Sequence, residues 1–451
     1  MAPAKKQPRA PSSQDDEFVS SIPTVFSPET RLRRGLCPVT ALQESTTSNK
    51  VIDDTFESHS LYYEQHGPAR INLIKDEVQR QKEIAKLRKV VFIMGLNSSC
   101  FGWSAQVKWF SGMTRPSELD GQEEYTALVF DNRGVGNSGY PRGPYTTSGM
   151  AEDVICLLDY LGWTGERDLT IVGISMGGMI AQEFLESSAW FGHRECKRDV
   201  VHDVKHVLLC FRISIAIKKC STLNLFLELA YRIPTRISSM VLAVTTPGGH
   251  FWQNLPPLKG VTSLAKLIVT PDAEKKAPIV MEMLFPIPWL EETAVDDSGK
   301  RRTNREIQTE GFHHRFSLTT PQRFLGHISQ MAAGLTHHVS PSRLSDIAAN
   351  VPKIIILTGD EDNLVRPSGS MKIWHGMTGK PPPADVLREA RDETDGEKGR
   401  IELIQWKGTG HAIHAQRALE FNRLVERCVQ EGRRLVDGGF LGRDQPSSDS
   451  D

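Results

Sequence analysis

The stretch Leu169 to Gln182, LTIVGISMGGMIAQ, constrains this chain more than any other. LTIV is an apolar run of strand length, and the residues after Gly178 open a helix-like apolar run. Between them lies Gly173-Ile174-Ser175-Met176-Gly177, a G-x-S-x-G pentapeptide in a strand–turn–helix setting. Small residues two before and two after the serine let strand and helix approach closely, which pushes Ser175 out at the tip of a tight turn. The same turn aims backbone N–H groups and a helix N-terminus at whatever binds there. A glycine-rich connector has the same five residues, so the pentapeptide alone does not decide between them.

Short apolar strand candidates alternate with helix-like segments along the chain: His59–Gln65, Val90–Met94, Ala127–Phe130, Leu169–Val172, Met240–Val244, Lys353–Leu357 and Ile401–Gln405. Several are unbroken apolar runs, as parallel strands covered on both faces require. The alternation predicts an α/β fold with a mostly parallel, doubly wound sheet, in which ligands bind beyond the carboxyl ends of the strands. From Gly249 to Ser345 the strand rhythm stops, and helical spacing with proline breaks takes over, as in APIVMEMLF and PQRFLGHISQMAAGL. A stretch this long exceeds a plain crossover, so 249–345 is expected to be an inserted helical lid. The core then falls into two parts, 31–248 and 346–437, between tails 1–30 and 438–451 that are expected to be disordered.

Composition narrows the class. With 54 basic and 55 acidic residues the net charge is −1, which gives no electrostatic basis for a nucleic-acid or membrane-surface partner. Seven cysteines without regular spacing, and no CxxC pair, argue for reduced thiols and against a disulfide framework or a zinc site. The N-terminus lacks an apolar secretory core, Asp15, Asp16 and Glu17 weaken a transit-peptide reading, and no long uncharged apolar run occurs. A cytoplasmic protein without stable membrane insertion is expected, with no metal and no cofactor. Its oligomeric state is not written in these features.

Polar motifs follow the strand candidates. KIIIL is followed by Thr358-Gly359-Asp360-Glu361-Asp362, IELIQW by Gly408-Thr409-Gly410-His411, and VVFIM by Gly95-Leu96-Asn97. The order Ser…Asp…His, each on a loop after a strand, is the one a nucleophile elbow calls for. A serine hydroxyl is a weak nucleophile until a neutral imidazole accepts its proton, and a carboxylate must then fix the imidazole's tautomer. Of fourteen histidines, His411 stands apart because it closes a Gly-Thr-Gly-His loop after the last strand, with His414 as the fallback. The pairs His313–His314 and His337–His338 fall in the expected lid, where they are placed to meet substrate. The tetrahedral oxyanion needs donors aimed in advance. The N–H groups of Met176, just after the nucleophile, and Leu96 are the candidates. Asp131 and Arg133 are read as an ion pair holding their own loop, and Trp103 as core.

With these residues in view the chain resembles the alpha/beta-hydrolase superfamily, in its lid-bearing branch of serine hydrolases. The resemblance runs over roughly 59–430 and rests on GISMGG, on FDNRGVGNSG, on GDEDNLV and on GTGH. It implies Asp362, three residues after Gly359, as the triad acid, with Asp360 as competitor. Where the family usually has histidine before the oxyanion loop, this chain has Met94. A serine nucleophile argues against the superfamily's carboxylate-dependent epoxide hydrolases and dehalogenases. The implied activity is hydrolysis of a small-molecule acyl substrate: an ester, thioester, lactone or amide, or C–C cleavage of a diketone. The alternatives are a non-catalytic ligand-binding or inactive paralogue, and a cofactor-free perhydrolase.

Two stretches interrupt the pattern. Phe184–Glu228 stands where the helix after the elbow should continue, holds Cys196, Cys210 and Cys220, and fits no motif. Without it Ile180, Leu229 and Ile233 fall on one helix face. It reads as foreign to the fold, as translated intron sequence would be, or else as a genuine surface insertion. Ile71–Lys86 is a charged stretch between two strands, read as an exposed helix or as a second such insert.

Overall fold

A nine-stranded sheet organises the computed structural model, which describes residues 19–41, 57–116, 123–184, 233–270, 272–296, 298–390, 399–440 and 442. In chain order the strands are β1 (Arg31–Ala41), β2 (Glu57–His66), β3 (Arg88–Ile93), β4 (Tyr125–Phe130), β5 (Leu169–Ile174) and β6 (Ile237–Ala243). A small hairpin, β7 (Thr293–Val295) and β8 (Arg301–Thr303), lies apart from the sheet. β9 (Lys353–Gly359), β10 (Leu387–Arg388) and β11 (Ile401–Trp406) complete it. The order across the sheet is β1-β2-β4-β3-β5-β6-β9-β11-β10. β1 and β2 are antiparallel; from β4 to β10 every pairing is parallel, so the carboxyl ends of β3, β5, β6, β9 and β11 share one edge.

The apolar runs are explained by this burial. β4, β5, β6 and β9 are buried along their whole length, so both alternating sets of side chains must be apolar or paired. Val91, Ile93, Leu128, Ile171, Leu242 and Ile356 point into one core layer, under helices Thr147–Tyr160, Pro341–Asn350 and Ser368–Thr378. Val90, Phe92, Val129, Val172, Val241 and Ile355 point into the other, under Ser104–Phe110 and Ala418–Asp437. The expected doubly wound α/β sheet is therefore the observed one.

Several expected boundaries are corrected. Within the tail 1–30, Val19 and Phe26 are buried, and Phe26 lies 5.0 Å from the His66 ring and 5.7 Å from the Phe101 ring. Isolated apolar residues in a proline-bearing extended segment have no periodicity to announce them. β1 follows at once; its Arg31, Arg33, Arg34, Gly35 and Pro38 hide a strand that is tolerable because it is an edge. At the other end Phe440 extends the described chain into 438–451, with the Arg167 and Arg400 guanidinium groups over its ring at 5.6 and 5.3 Å. Residues 1–18 and 443–451 lie outside the described residues.

Between β6 and β9 come helices Leu258–Val269, Ala273–Leu284, Ile287–Glu291, Asn304–Leu318 and Phe324–Thr336, with the β7–β8 hairpin among them. Helix Pro341–Asn350 straddles the expected limit at 345, but Leu344, Ile347 and Ala348 pack into the main core, so the inserted helices end before it. The charged stretch 71–86 forms a short 3-10 turn and helix Glu77–Lys86. Asp76 caps that helix by accepting the Gln79 N–H at 2.6 Å, and Ile84 buries itself against Leu32, Ile71 and Leu87. Of the stretch 184–228, Phe184 is buried just past helix Met176–Gln182; the remainder lies outside the described residues. Among the described residues no helix is long and apolar enough to cross a membrane.

Candidate active site

Ser175 sits between β5 and helix Met176–Gln182 with φ 56° and ψ −122°, a backbone conformation that non-glycine residues rarely adopt and that costs about 1–3 kcal/mol. Two hydrogen bonds hold it there: the Ser175 N–H donates to the Ala243 carbonyl at 2.9 Å, and the Thr245 hydroxyl donates to the Ser175 carbonyl at 2.8 Å. The flanking glycines are needed for space. A Cβ on Gly177 would stand 2.1 Å from the Ile93 carbonyl oxygen, and one on Gly173 would stand 2.4 Å from that of Gly177. Asn97 after β3 and Val244 after β6 also have positive φ, 56° and 45°. Strain therefore clusters at the carboxyl ends of three neighbouring strands, as at sites where geometry is held for chemistry.

On the same edge His411 follows β11 and Asp362 follows β9. The His411 Nδ1 lies 2.9 and 2.8 Å from the two Asp362 carboxylate oxygens, with both side chains buried. Asp362 is aimed by its own turn: the N–H groups of Leu364 and Val365 donate to Oδ1 at 2.8 and 2.9 Å. The His411 loop is tied by Gln416, which accepts the Gly410 N–H and donates to the Gly408 carbonyl, each at 2.8 Å. Asp360 faces elsewhere. Its Oδ1 accepts the Thr409 N–H at 3.1 Å, so it shapes the histidine loop without meeting the imidazole. His414 is buried behind the site, 4.8 Å from the Trp103 ring, and burial, helped by the Arg315 charge, pushes its pKa down to about 3.

The loop after β3 lies directly against the serine: a Cβ on Gly95 would be 3.0 Å from the Ser175 Cβ. Leu96, the second expected oxyanion donor, is the next residue. Gln330, fully buried on helix Phe324–Thr336, accepts the Asn97 N–H at 2.8 Å and donates to the Arg133 carbonyl at 2.7 Å. Gln322 donates to Asn97 Oδ1 at 3.0 Å and to the Gly134 carbonyl at 2.8 Å. From the core side Asn132 donates to the Met94 carbonyl at 3.0 Å. The loop after β3 is thus held in part by residues of the segment inserted between β6 and β9.

The Ser175 turn and the Asp362–His411 pair thus follow strands at one carboxyl edge of a doubly wound sheet, and a family model described as the alpha/beta hydrolase family matches residues 90–424. The chain belongs to the alpha/beta hydrolase family. Among curated relatives of this alpha/beta hydrolase, 3-oxoadipate enol-lactonase 2 of Acinetobacter baylyi is 33% identical over 93 residues, 21% of this chain and 30% of that protein. The poly(3-hydroxyalkanoate) depolymerase of Ectopseudomonas oleovorans is 40% identical over 57 residues, 13% of this chain and 19% of that protein. The chain spans less than a third of the length of these curated relatives. Among solved structures, the enol-lactonase from Burkholderia xenovorans LB400 is 15% identical with a TM-score of 0.49, over 82% of this chain and 97% of that one.

The remaining candidates of this alpha/beta hydrolase separate. Asp131 and Arg133 are not paired with each other. Buried Asp131, its pKa pushed up to about 6 by burial, accepts the N–H groups of Cys100 at 2.7 Å and Asn137 at 2.8 Å. Arg133 pairs instead with Asp153, at 2.6 and 2.5 Å. Adjacent loop residues satisfy different neighbours, which spacing does not reveal. Trp103 is fully buried core. His337 is buried against Thr147 at 2.9 Å and Glu183 at 3.2 Å; His338 and His314 are exposed, and His313 lies 3.6 Å from Glu274. Among the described residues no group of His, Cys, Asp and Glu is placed to hold a metal ion.

Sequence reasoning passed over Gln330, whose only signal is a glutamine inside the apolar run ISQMAAGL. Gln330→Leu should leave the Asn97 N–H without its acceptor and lower kcat on an activated ester by about tenfold, with KM little changed. Gln330→Glu, which still accepts that N–H, should fall between the two. Equal kcat in all three proteins would exclude a positioning role.

Burial of His414 has a consequence for stability. Its pKa in the fold, about 3, is below the unfolded value of about 6.5. Its contribution is therefore complete above about pH 6.5 and is lost as pH falls toward 3. The urea midpoint should drop from pH 7 to pH 4.5 more steeply in the wild type than in His414→Met, and equal drops would contradict the assignment.

Proposed function

We propose that this alpha/beta hydrolase is a serine hydrolase that cleaves a small ester, thioester, lactone or related acyl bond through an acyl-enzyme on Ser175. The observation that carries the proposal is the buried His411–Asp362 pair, on the same sheet edge as a strained serine elbow. The curated relatives named as an enol-lactonase and a depolymerase support hydrolytic chemistry on acyl compounds.

In this proposal Asp362 accepts the Nδ1–H of His411, which fixes the tautomer with a free Nε2. Nε2 takes the proton as the Ser175 Oγ attacks the acyl carbon. The N–H groups of Leu96 and Met176 stabilise the tetrahedral oxyanion, a contribution of roughly 3–4 kcal/mol for each donor of this kind. His411 then protonates the leaving group, and water, deprotonated by the same imidazole, releases the acid. The inserted helices act as the lid: Gln322 and Gln330 rest on the loop that carries Leu96, and the acyl group is held under them.

A fluorophosphonate probe tests this. The full chain should be labelled, with the adduct on the peptide containing Ser175, and the protein lacking Phe184–Glu228 should be labelled as well if that stretch is foreign to the fold. Absence of a Ser175 adduct from both forms would overturn the hydrolase proposal in favour of a non-catalytic ligand-binding protein. An adduct in the shortened form alone would identify the insert as the defect.

A further inference from the structure

Helix Asn304–Leu318 and its C-cap touch residues beside both loops of the proposed site. Phe312 packs in the cluster formed by Met281, Phe285, Trp289, Leu290 and Ala412, next to His411. Thr319, at the helix end, has its hydroxyl 3.3 Å from that of Ser99, just past the oxyanion loop. Positions 312, 315 and 319 share one helix face, so Arg315 stands between those two contacts. Its side chain is partly enclosed, and its charge reaches the buried His414 strongly enough to help depress that imidazole.

Arg315 differs from the other arginines of this region. Arg302 pairs with Glu310 and Asp296, and Arg305 with Glu291 and Glu282. Among the described residues the Arg315 guanidinium has no carboxylate partner and no hydrogen bond. Burial without a partner is unfavourable enough to pull its pKa below the usual arginine value. A half-buried cation without an anion keeps only part of its hydration, and a planar guanidinium is the side chain best shaped to take a carboxylate in two parallel hydrogen bonds.

The geometry points to Arg315 as the group that binds a carboxylate carried by the substrate, at the end of the acyl chain remote from the scissile bond. The substrate class is then a short acyl compound with one free carboxylate, such as the monoester of a dicarboxylic acid or a carboxylated lactone. This rests on the serine-hydrolase proposal for turnover, while the anion site itself is testable without it.

The test compares the mono-p-nitrophenyl ester of glutaric acid with p-nitrophenyl pentanoate, which has the same chain length without the charge. The wild type should favour the anionic ester in kcat/KM, and Arg315→Gln should lose about 10- to 100-fold on that ester while changing less than about threefold on the neutral one. Arg315→Lys should recover part of the loss. In a separate arm, glutarate binding to the Ser175→Ala protein is measured by calorimetry, with and without Arg315→Gln, at one ionic strength. Binding weakened at least about tenfold by the Arg315 change supports the site even if neither ester is turned over, a result that would count only against the hydrolase proposal. Equal losses on both esters, or glutarate binding that is absent or indifferent to Arg315→Gln, would overturn the assignment.

Discussion

Ser175→Ala is expected to lower the turnover of an activated ester by about 10⁴- to 10⁶-fold and to leave the folded protein intact. The two halves of that expectation have separate physical origins. Alanine keeps the Cβ that faces Gly95 and keeps the backbone bonds to Ala243 and Thr245, so the elbow is still over-determined. The Ser175 side chain makes no capping hydrogen bond to its helix, so its hydroxyl contributes nothing there to lose. The stability change should accordingly stay within about 0.5 kcal/mol. Ser175→Gly provides the contrast: glycine adopts φ 56° without steric penalty, so this variant should be equally inactive yet unfold at a higher temperature. Initial rates and thermal midpoints of the three proteins check both halves. Residual activity above about 1% in the alanine variant would remove Ser175 from the chemistry, since the oxyanion donors alone supply far less than the complete machinery.

The candidate site and the sheet were legible in the sequence for one reason: this architecture makes local demands that local residues must meet. A strand covered on both faces has to be apolar throughout, and VVFI, ALVF, LTIV, MVLA and IIIL are. A serine elbow has to be flanked by residues without bulk, and Gly173 and Gly177 would each collide with backbone if they carried a Cβ. What escaped the sequence depends on partners distant along the chain. β1 is polar on one edge because only β2 pairs with it, so neither alternation nor hydrophobicity marks it. Asp131 and Arg133 are two residues apart yet serve Cys100 and Asp153, on opposite sides of their loop. Gln330 contacts Asn97 across 233 residues, a pairing that only the folded insertion creates. The acidic loop after β9 carried both Asp360 and Asp362 at plausible spacing, and which one meets His411 was set by the turn in which Leu364 and Val365 donate to Asp362.

That turn makes the second large prediction a comparison between neighbours. Asp362→Asn should lower kcat by about 10⁴-fold, whereas Asp360→Asn should lower it less than about tenfold. In the first variant an amide faces the His411 Nδ1. Its oxygen can still accept the Leu364 and Val365 N–H groups, which leaves the amide NH₂ toward the imidazole. That NH₂ donates, so Nδ1 becomes the acceptor and the ring proton moves to Nε2. An imidazole protonated at Nε2 cannot take the Ser175 proton, and the imidazolium formed in the transition state also loses its buried countercharge. In the second variant the oxygen that accepts the Thr409 N–H is retained, and no hydrogen bond to an imidazole is involved. Both changes remove one negative charge from the same loop, so a general electrostatic effect would depress the two alike. The split between them is what isolates geometry. It should appear in kcat, with KM nearly constant, because the Asp362–His411 bond matters most once His411 is charged. Equal losses in the two variants, or the larger loss in Asp360→Asn, would reassign the acid.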